Sequence, residues 1–325
     1  MTQKVEALVI GAGVIGSSVA MHLAKLGMKS VRVIDFDLEG TLSSSELNAG
    51  GVRATWVHPL NIEMSRASID YFDQVADDVG YRASGYLWLH SPQKWQTALQ
   101  ARELQNAKNW PVEAWDTSLL RRRIPFLDKT EGVGGAIFAP RDGLINPNLL
   151  KNHYRAQGRM RGVVYEDRTL LREVKYHRDG RSSVGVVAER FESVMSHEMK
   201  LEIAAAGSTQ KFSRNLVEYE AECIVNCAGP WASWVAQILG YTSPSHPVRR
   251  QVSIFDCREV DLSPFGMIVD TSGVYFHPEA TNGLAGYAIP QEPAGVNYRY
   301  DGESFFNEYI WPALYERSSH FERSE

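Results

Sequence analysis

The sequence predicts two interleaved architectures: an α/β Rossmann-like dinucleotide-binding domain, and an α+β domain built on an antiparallel sheet that would carry the substrate. Three observations predict this. An apolar run from Val5 to Ile10 leads into Gly11-Ala12-Gly13-Val14-Ile15-Gly16, and a helical pattern closed by Gly27 follows at once. A second apolar run, Val31 to Ile34, ends in Asp35. Beyond Pro247 the pattern changes to short apolar runs separated by turns, which reads as an antiparallel sheet.

The first two observations together make a βαβ unit with its expected context. Gly11 permits a tight turn, Gly13 lets a pyrophosphate approach the backbone, and Gly16 lets helix and strand pack closely. The helix N-terminus then faces the phosphates. Asp35, about 20 residues beyond the glycines, can accept hydrogen bonds from a ribose diol. An acid at that position disfavours a 2′-phosphate, which leaves FAD or NAD.

Composition narrows the class. The chain has 325 residues, 44% hydrophobic and 22% charged, and a net charge of −5. That length suits two domains, and the charge gives no case for nucleic acid or an anionic membrane. No apolar run approaches the roughly 18 residues that a membrane span needs. The first strand starts almost at Met1, so no signal or transit peptide is expected. Three cysteines make no disulfide framework; Cys223 and Cys227 share a strand face and read as small buried residues. A cytoplasmic location and no bound metal are the expectations.

Along the chain, Leu38 to Glu46 is a polar connection, followed by Asn48-Ala49-Gly50-Gly51-Val52-Arg53. Ile62, Ile69, Phe72, Ala76 and Val79 keep helical spacing, and Gly85 to His90 alternates as a strand. Residues 93–124 read as helical, with Trp95, Leu99 and Leu104 as a buried stripe and Arg121-Arg122-Arg123 as a solvated last turn. Gly135 to Ala139 is a strand, Arg141-Asp142-Gly143 a turn, and Asn146-Pro147 opens a helix. Arg161 to Tyr165 and Val184 to Val187 are strand-like, Glu192 to Glu220 is a surface excursion, and Glu222 to Gly229 is a further apolar strand before a helix from Trp231 to Leu239. The runs Val252 to Phe255, Met267 to Val269, Val274 to His277 and Leu284 to Ala288 form the antiparallel sheet. Asp301 to Arg323 is helical with a kink at Pro312. Domain boundaries are expected at 1–83 with 141–236 for the dinucleotide domain, and 84–140 with 237–325 for the substrate domain, with the ligand site between them.

Four segments resemble the FAD-dependent D-amino-acid oxidase superfamily, in its branch of sarcosine oxidases and dehydrogenases and glycine oxidase. They are Gly11 to Gly16 with the helix to Gly27, Ser44-Ser45 before Asn48 to Arg53, Asp142-Gly143-Leu144-Ile145-Asn146-Pro147, and Ile224-Val225-Asn226-Cys227-Ala228-Gly229-Pro230-Trp231. Their order and separations match that family over nearly the whole chain. The resemblance implies FAD held by Gly11, Gly13, Val14, Ile15, Gly16, Asp35, Phe36, Ser44, Ser45, Asn48, Ala49, Gly50, Gly51, Ala228, Gly229 and Trp231. Some family members attach flavin through a histidine where this chain has Asn48, so the FAD is expected to be non-covalent.

The resemblance also implies oxidation of an amine or N-methyl amino acid, with hydride passing from the carbon beside nitrogen to flavin N5. Such a substrate needs a cation for its carboxylate, and reduced flavin needs one too. Arg53 at the end of the flavin-contacting loop suits either need, and Arg249, Arg250 and Gln251 are weaker candidates. Tyr275 and His277, on one face of their strand, would line the substrate pocket, with Trp56 and His58 near the flavin. Other readings are an NAD-dependent dehydrogenase and a flavoprotein scaffold or assembly factor without turnover. An oligomer or partner subunit is left open. The family continues beyond the point matching Glu325, so a C-terminal part of the fold is expected to be missing, with an uncapped last helix, exposed apolar surface and little activity.

Overall fold

The computed structural model describes residues 2–177, 182–206 and 214–322. In chain order its first elements are β1 (Gln3–Ile10), α1 (Val14–Lys25), β2 (Val31–Ile34), β3 (Gly51–Val52), α2 (Pro59–Gln74), α3 (Ala76–Val79) and β4 (Tyr86–His90). Next come α4 (Pro92–Ala107), β5 (Glu113–Trp115), α5 (Thr117–Arg123), β6 (Gly135–Ala139), β7 (Gly143–Leu144), α6 (Pro147–Met160) and β8 (Val164–Glu166). Then follow β9 (Thr169–Tyr176), β10 (Val184–Phe191), α7 (His197–Ala206), β11 (Arg214–Asn226) and α8 (Ala232–Ile238). The last are β12 (Gln251–Phe255), β13 (Met267–Val269), β14 (Tyr275–Glu279), β15 (Asn282–Tyr287), α9 (Glu303–Phe305) and α10 (Trp311–Arg317). This is a mixed α/β fold with one largely parallel and one largely antiparallel sheet.

The chain divides into two compact units: Met1–Asn48 with Pro147–Arg249 and Pro293–Asn297, and Ala49–Asn146 with Arg250–Glu292 and Tyr298–Glu325. These breaks differ from the boundaries at 83, 140 and 236 that the sequence suggested. The short β3–β7 ladder, Gly51 opposite Leu144 and Val52 opposite Gly143, ties residues after 48 and before 147 to the second unit. Helix α8 packs on β9 and β11, which keeps the segment after 236 with the first.

The first unit has a six-stranded sheet in the order β8-β2-β1-β11-β10-β9. β8, β2, β1 and β11 run parallel; β10 and β9 are antiparallel additions. Parallel strands are covered on both faces, and Ala7, Leu8 and Val9 of β1 are fully buried. Ala7, Val9, Val31 and Val33 pack under Val19, Leu23 and Ala24 of α1, while Val5, Leu8 and Ile10 pack with Val235 of α8. Strand β9 escaped the sequence reading because Arg172, Glu173 and Lys175 interrupt its apolar alternation. The excursion after Glu192 contains α7, whose Met199 and Ile203 pack with Phe191 and Phe36; its residues 207–213 lie outside the described part. Cys223 is exposed, not buried as expected, and only Cys227 packs, against the cluster under α1. Strand spacing gives the face a residue lies on, not how far along it a covering helix reaches.

The second unit has a seven-stranded sheet in the order β12-β15-β14-β13-β4-β6-β5. Its pairings are antiparallel except β13 with β4, which join parallel across a long sequence separation. Alternation divides its side chains between two faces. Leu87, Leu89, Ile268, Phe276, Phe255 and Ala285 face Phe305, Ile310, Leu314 and Phe321 in a single core. Tyr86, Trp88, Met267, Val269 and Tyr275 form the other face. The helix expected over residues 93–124 is broken: α4 stops at Ala107, Asn109 takes φ 59°, and β5 intervenes before α5. Arg121, Arg122 and Arg123 are exposed at the end of α5, as expected.

The C-terminal helical run carries a π-turn at Phe306–Ile310 immediately before Pro312, which is how the chain accommodates the missing proline N–H. The end of α10 is not open, in contrast to the expectation: the Tyr315 carbonyl accepts from Lys129 Nζ at 2.8 Å and the Arg317 carbonyl from the Lys129 N–H at 3.3 Å. Ser318 leaves the helix in extended backbone and its Oγ accepts from the His320 N–H, the Ser319 N–H donates to Asp128 Oδ1 at 2.9 Å, and Phe321 is fully buried. No helix among the described residues is long and apolar enough to cross a membrane.

Arg317 closes this unit. It is 3% exposed, its Nε donates to Asp270 Oδ1 at 2.5 Å, and its two terminal nitrogens reach the carbonyls of Lys129 and Glu131 and the Thr271 hydroxyl. Removing one partner of a buried pair leaves the other charge unpaired, at a cost of about 3–5 kcal/mol. Arg317→Met should therefore lower the unfolding free energy by about 3 kcal/mol in urea titration; a loss below about 1 kcal/mol would show that the pair is dispensable.

Candidate cofactor and substrate sites

The glycine turn of the first unit is built by steric necessity. Gly11 has φ 100°, and a side chain there would lie 2.4 Å from the Cys227 carbonyl oxygen. A side chain at Gly16 would lie 1.9 Å from the Gly11 oxygen, so helix α1 can approach the turn only at glycine. The turn is pinned on both sides: the Gly11 N–H donates to Ile34 O at 2.9 Å, and the Cys227 N–H to Ile10 O at 2.8 Å.

Gly13 caps α1 without a side-chain bond, and the Ser45 hydroxyl accepts from the Val14 N–H at 2.9 Å. Among the described residues, the N–H groups of Gly13, Ile15 and Gly16 meet no protein acceptor. Three open donors at the start of a 12-residue helix form an anion site of the kind that takes a pyrophosphate. Asp35 lies beside it. Its Oδ2 accepts from the Ala12 N–H at 2.6 Å and its Oδ1 from the Asp37 N–H at 2.9 Å. Burial pushes its pKa up to about 6, against those two backbone bonds and the nearby Arg155.

Arg155 of α6 was not foreseen. It is buried, its Nε reaches Ser17 Oγ at 3.3 Å, its Nη1 donates to Leu38 O at 2.5 Å, and its Nη2 donates to Ala12 O. One side chain thus joins the glycine turn to the loop after Asp35. Two buried lysines hold the rest of that loop: Lys151 on Glu46 and the Glu39 carbonyl, and Lys200 on Asp37. Spacing gives no warning of such charges, since an isolated Arg or Lys in an amphipathic helix reads as solvated.

Of the other residues expected at the cofactor, Ser45 is buried at the helix start, while Ser44 and Asn48 are exposed and Ile15 is 64% exposed. Phe36 and Trp231 meet edge to face at 5.4 Å, and the Trp231 indole donates to Ala204 O of α7. Ala228 donates its N–H to Asn226 Oδ1, and Gly229 takes φ 53°. The turn, the acid and the aromatic pair fit the pyrophosphate, ribose and adenine parts of a dinucleotide.

The second unit gathers the residues named for the substrate. Ala49, Gly50 and Gly51 run into the β3–β7 ladder, and Arg53 follows it. The Arg53 guanidinium lies 3.8 Å from the Trp56 ring centroid and 4.7 Å from that of Trp88, and its Nη1 donates to Thr55 O at 3.2 Å. Among the described residues no carboxylate lies within ion-pair distance of it. Burial pulls its pKa down, and Tyr86 and Asp142 act the other way.

Tyr86 stacks on Trp88 at 5.4 Å, and its pKa is pushed up to about 12, chiefly by burial. Gly51 leaves room for it: a side chain there would meet the Tyr86 hydroxyl at 2.8 Å. The register sets Trp88, Val269, Tyr275 and Gly286 in one row across the sheet. Gly286 is required, because a side chain would lie 2.3 Å from the Tyr275 hydroxyl. His277 is 3% exposed; its Nδ1–H donates to Pro278 O at 2.8 Å, and Nε2 is buried without a partner. Burial holds it below the usual imidazole pKa, against backbone hydrogen bonds to Pro278 and Ala49, so it is neutral at neutral pH.

Of the weaker candidates, Gln251 is structural: its side chain makes two hydrogen bonds to Asp301 and points to the core side of β12. Arg250 acts electrostatically on Tyr275, whose pKa it lowers against burial. Trp56 serves as the platform under Arg53, with its indole N–H on Ser65, and His58 is exposed before α2. No group of three His, Cys, Asp or Glu residues among those described could hold a metal.

A glycine-turn dinucleotide site in one unit, and in the other an arginine on two indole rings with no carboxylate within ion-pair distance among the described residues, define a dinucleotide-binding protein as the class. The comparisons give the family. The FAD dependent oxidoreductase family model matches residues 6–316, and the chain belongs to that family; FAD is its cofactor. It is 26% identical to FAD-dependent oxidoreductase domain-containing protein 1 of Xenopus laevis, over 98% of this chain and 68% of that one. A probable sarcosine oxidase of Arabidopsis thaliana is 24% identical over 79% of this chain and 56% of its own length. The L-proline dehydrogenase from P. horikoshii superposes with a TM-score of 0.77 at 19% identity, covering 98% of this chain and 78% of that one.

Asp142, fully buried at the head of β7, also has its pKa pushed up to about 6, chiefly by burial. A folded-state pKa raised above the ordinary 3.8 means the folded chain binds the extra proton first as pH falls. This carboxylate therefore opposes folding most above pH 6, and that penalty is relieved between about pH 6 and pH 4. Asp142→Asn lacks the term, so the stability of the unaltered protein relative to the variant should rise as pH is lowered across that window. A difference between the two unfolding curves that stays constant from pH 7 to pH 4 would contradict the assignment.

Proposed function

We propose that the chain oxidises the C–N bond of a carboxylate-bearing secondary or N-methyl amine. The observation that carries the proposal is Arg53: a cation held on two indole faces, with no carboxylate within ion-pair distance among the described residues. The similarity to a probable sarcosine oxidase supports the same substrate class.

Bound non-covalently, FAD supplies the acceptor for the hydride that leaves the carbon next to nitrogen. The protein supplies binding and orientation. Arg53 pairs with the substrate carboxylate. Trp56 and Trp88 keep the guanidinium from turning, so little ordering is needed on binding. The apolar flank of Tyr275 and Tyr86 takes the N-alkyl group. His277, a neutral imidazole, takes the proton of the substrate ammonium as a general base, which frees the nitrogen electron pair that forms the C=N bond as hydride departs. Water then hydrolyses the imine. A cytoplasmic site of action goes with this reading, since free cysteines suit a reducing compartment.

Anaerobic mixing of the FAD-loaded protein with a panel of N-methyl amino acids tests the proposal, the flavin absorbance being followed near 450 nm, the usual flavin band. At least one substrate should bleach the flavin. Arg53→Met should slow bleaching at subsaturating substrate by at least 100-fold, the loss of a charge-assisted pair worth about 3 kcal/mol. Flavin that stays oxidised with every amine tried would favour the scaffold reading. Unchanged bleaching in Arg53→Met would give the carboxylate another partner.

A further inference from the structure

The sequence places Asp142 in a turn and in one of the four segments that carry the family resemblance, with no role assigned to its side chain. The structure puts its carboxylate behind the loop that carries Arg53. Oδ1 accepts from the Ala54 N–H at 2.8 Å and from the Trp110 indole N–H at 2.9 Å; Oδ2 accepts from the Thr55 hydroxyl at 2.9 Å. Asp142, Ala54 and Trp110 are completely buried, and Thr55 is 9% exposed. The Asp142 backbone is fixed as well: its carbonyl accepts from the Gly85 N–H at 2.9 Å, and Gly143 next to it could bear no side chain, since one would lie 1.9 Å from Arg82 O.

These bonds fall on the residues that hold the guanidinium. The Thr55 carbonyl accepts from Arg53 Nη1, and Trp56, one residue on, supplies the nearer indole face. A main chain released from Asp142 at Ala54 and Thr55 would carry both contacts away from Arg53. Among the described residues Arg53 donates to no carboxylate, so the clamp fixes the position of the cation without neutralising it through an ion pair.

We propose that Asp142 is a positioning residue, which through Ala54, Thr55 and Trp110 holds the Arg53 guanidinium ready for a substrate carboxylate. This deepens the reading above and rests on it for the identity of the anion. The role is geometric: three acceptor contacts from one rigid carboxylate, of which an isosteric amide can keep two and reverse the third.

The test uses the FAD-loaded protein and propionate as the probe, titrated by calorimetry and by the shift it causes in flavin absorbance, with propionamide as the neutral control. The unaltered protein should bind propionate and not propionamide, and Arg53→Met should not bind propionate. Thr55→Val removes one clamp bond at nearly constant shape. It should weaken propionate at least fivefold, with FAD content unchanged and the melting temperature within about 3 °C, as expected for loss of one bond at constant volume. Asp142→Asn can still accept from Ala54 and Trp110 and can donate to the Thr55 oxygen, so it should stay within threefold of the unaltered protein. Asp142→Ala should lose binding; if it does not fold, Thr55→Val and Asp142→Asn carry the test. Propionate binding within twofold of normal in Thr55→Val overturns the proposal, as does a loss in Asp142→Asn as large as that in Thr55→Val, or no propionate binding by the unaltered protein. Failure of amine oxidation is read separately, as flavin that no amine reduces, because propionate binding needs no turnover.

Discussion

The hydrogen bond from the Ala12 N–H to Asp35 is the contact on which the first unit depends. At 2.6 Å it ties the middle of the glycine turn to the end of β2. It does so with a carboxylate whose burial would be unfavourable without such donors. Everything nearby answers to it. Arg155 adds a compensating charge and takes the Ala12 carbonyl, in the next peptide group along the turn. Gly11 and Gly16 are glycine because the turn so held leaves no room for a side chain. The open N–H groups of α1 then point where they do because the turn cannot relax to cover them.

The second unit uses the same device with other residues. Asp142 is buried, its pKa is raised like that of Asp35, and it accepts a backbone N–H from the loop that carries Arg53. In each unit the loop is set by a carboxylate from elsewhere in the chain, not by its own local preference. Loops shaped in this way are preorganised, and binding need not supply the energy of ordering them. The aromatic surroundings of Arg53 work in the same direction, since a guanidinium between indoles keeps its charge while losing freedom.

Much of the first unit was legible because its signals are local. The glycine spacing, the apolar runs and the terminal acid each lie within a few residues, and each maps directly onto β1, α1 and β2. The faces of the second sheet were also legible, because alternation alone puts Tyr275 and His277 together. What the sequence hid was set by distant partners. Arg155, Lys151 and Lys200 read as solvated charges yet are buried on loops more than 100 residues away. The parallel joining of β13 to β4, the break of the helix at Asn109 and the partners that meet the end of α10 all depend on tertiary contacts that periodicity cannot report. Gln251 shows the reverse error: it read as a site candidate, but Asp301, 50 residues on, holds it in the core.

The central claim is that both loops are built before any ligand arrives. A crystal structure of the FAD-loaded protein with a bound carboxylate tests it most directly. The account predicts the pyrophosphate on the N–H groups of Gly13, Ile15 and Gly16, and the carboxylate on Arg53 with Trp56 and Trp88 still against the guanidinium. The backbone of residues 11–16 and 53–56 should lie within about 1 Å of its present course, as in other preorganised sites. An Arg53 that leaves the indoles to meet the ligand, or a pyrophosphate bound away from the α1 N-terminus, would contradict it.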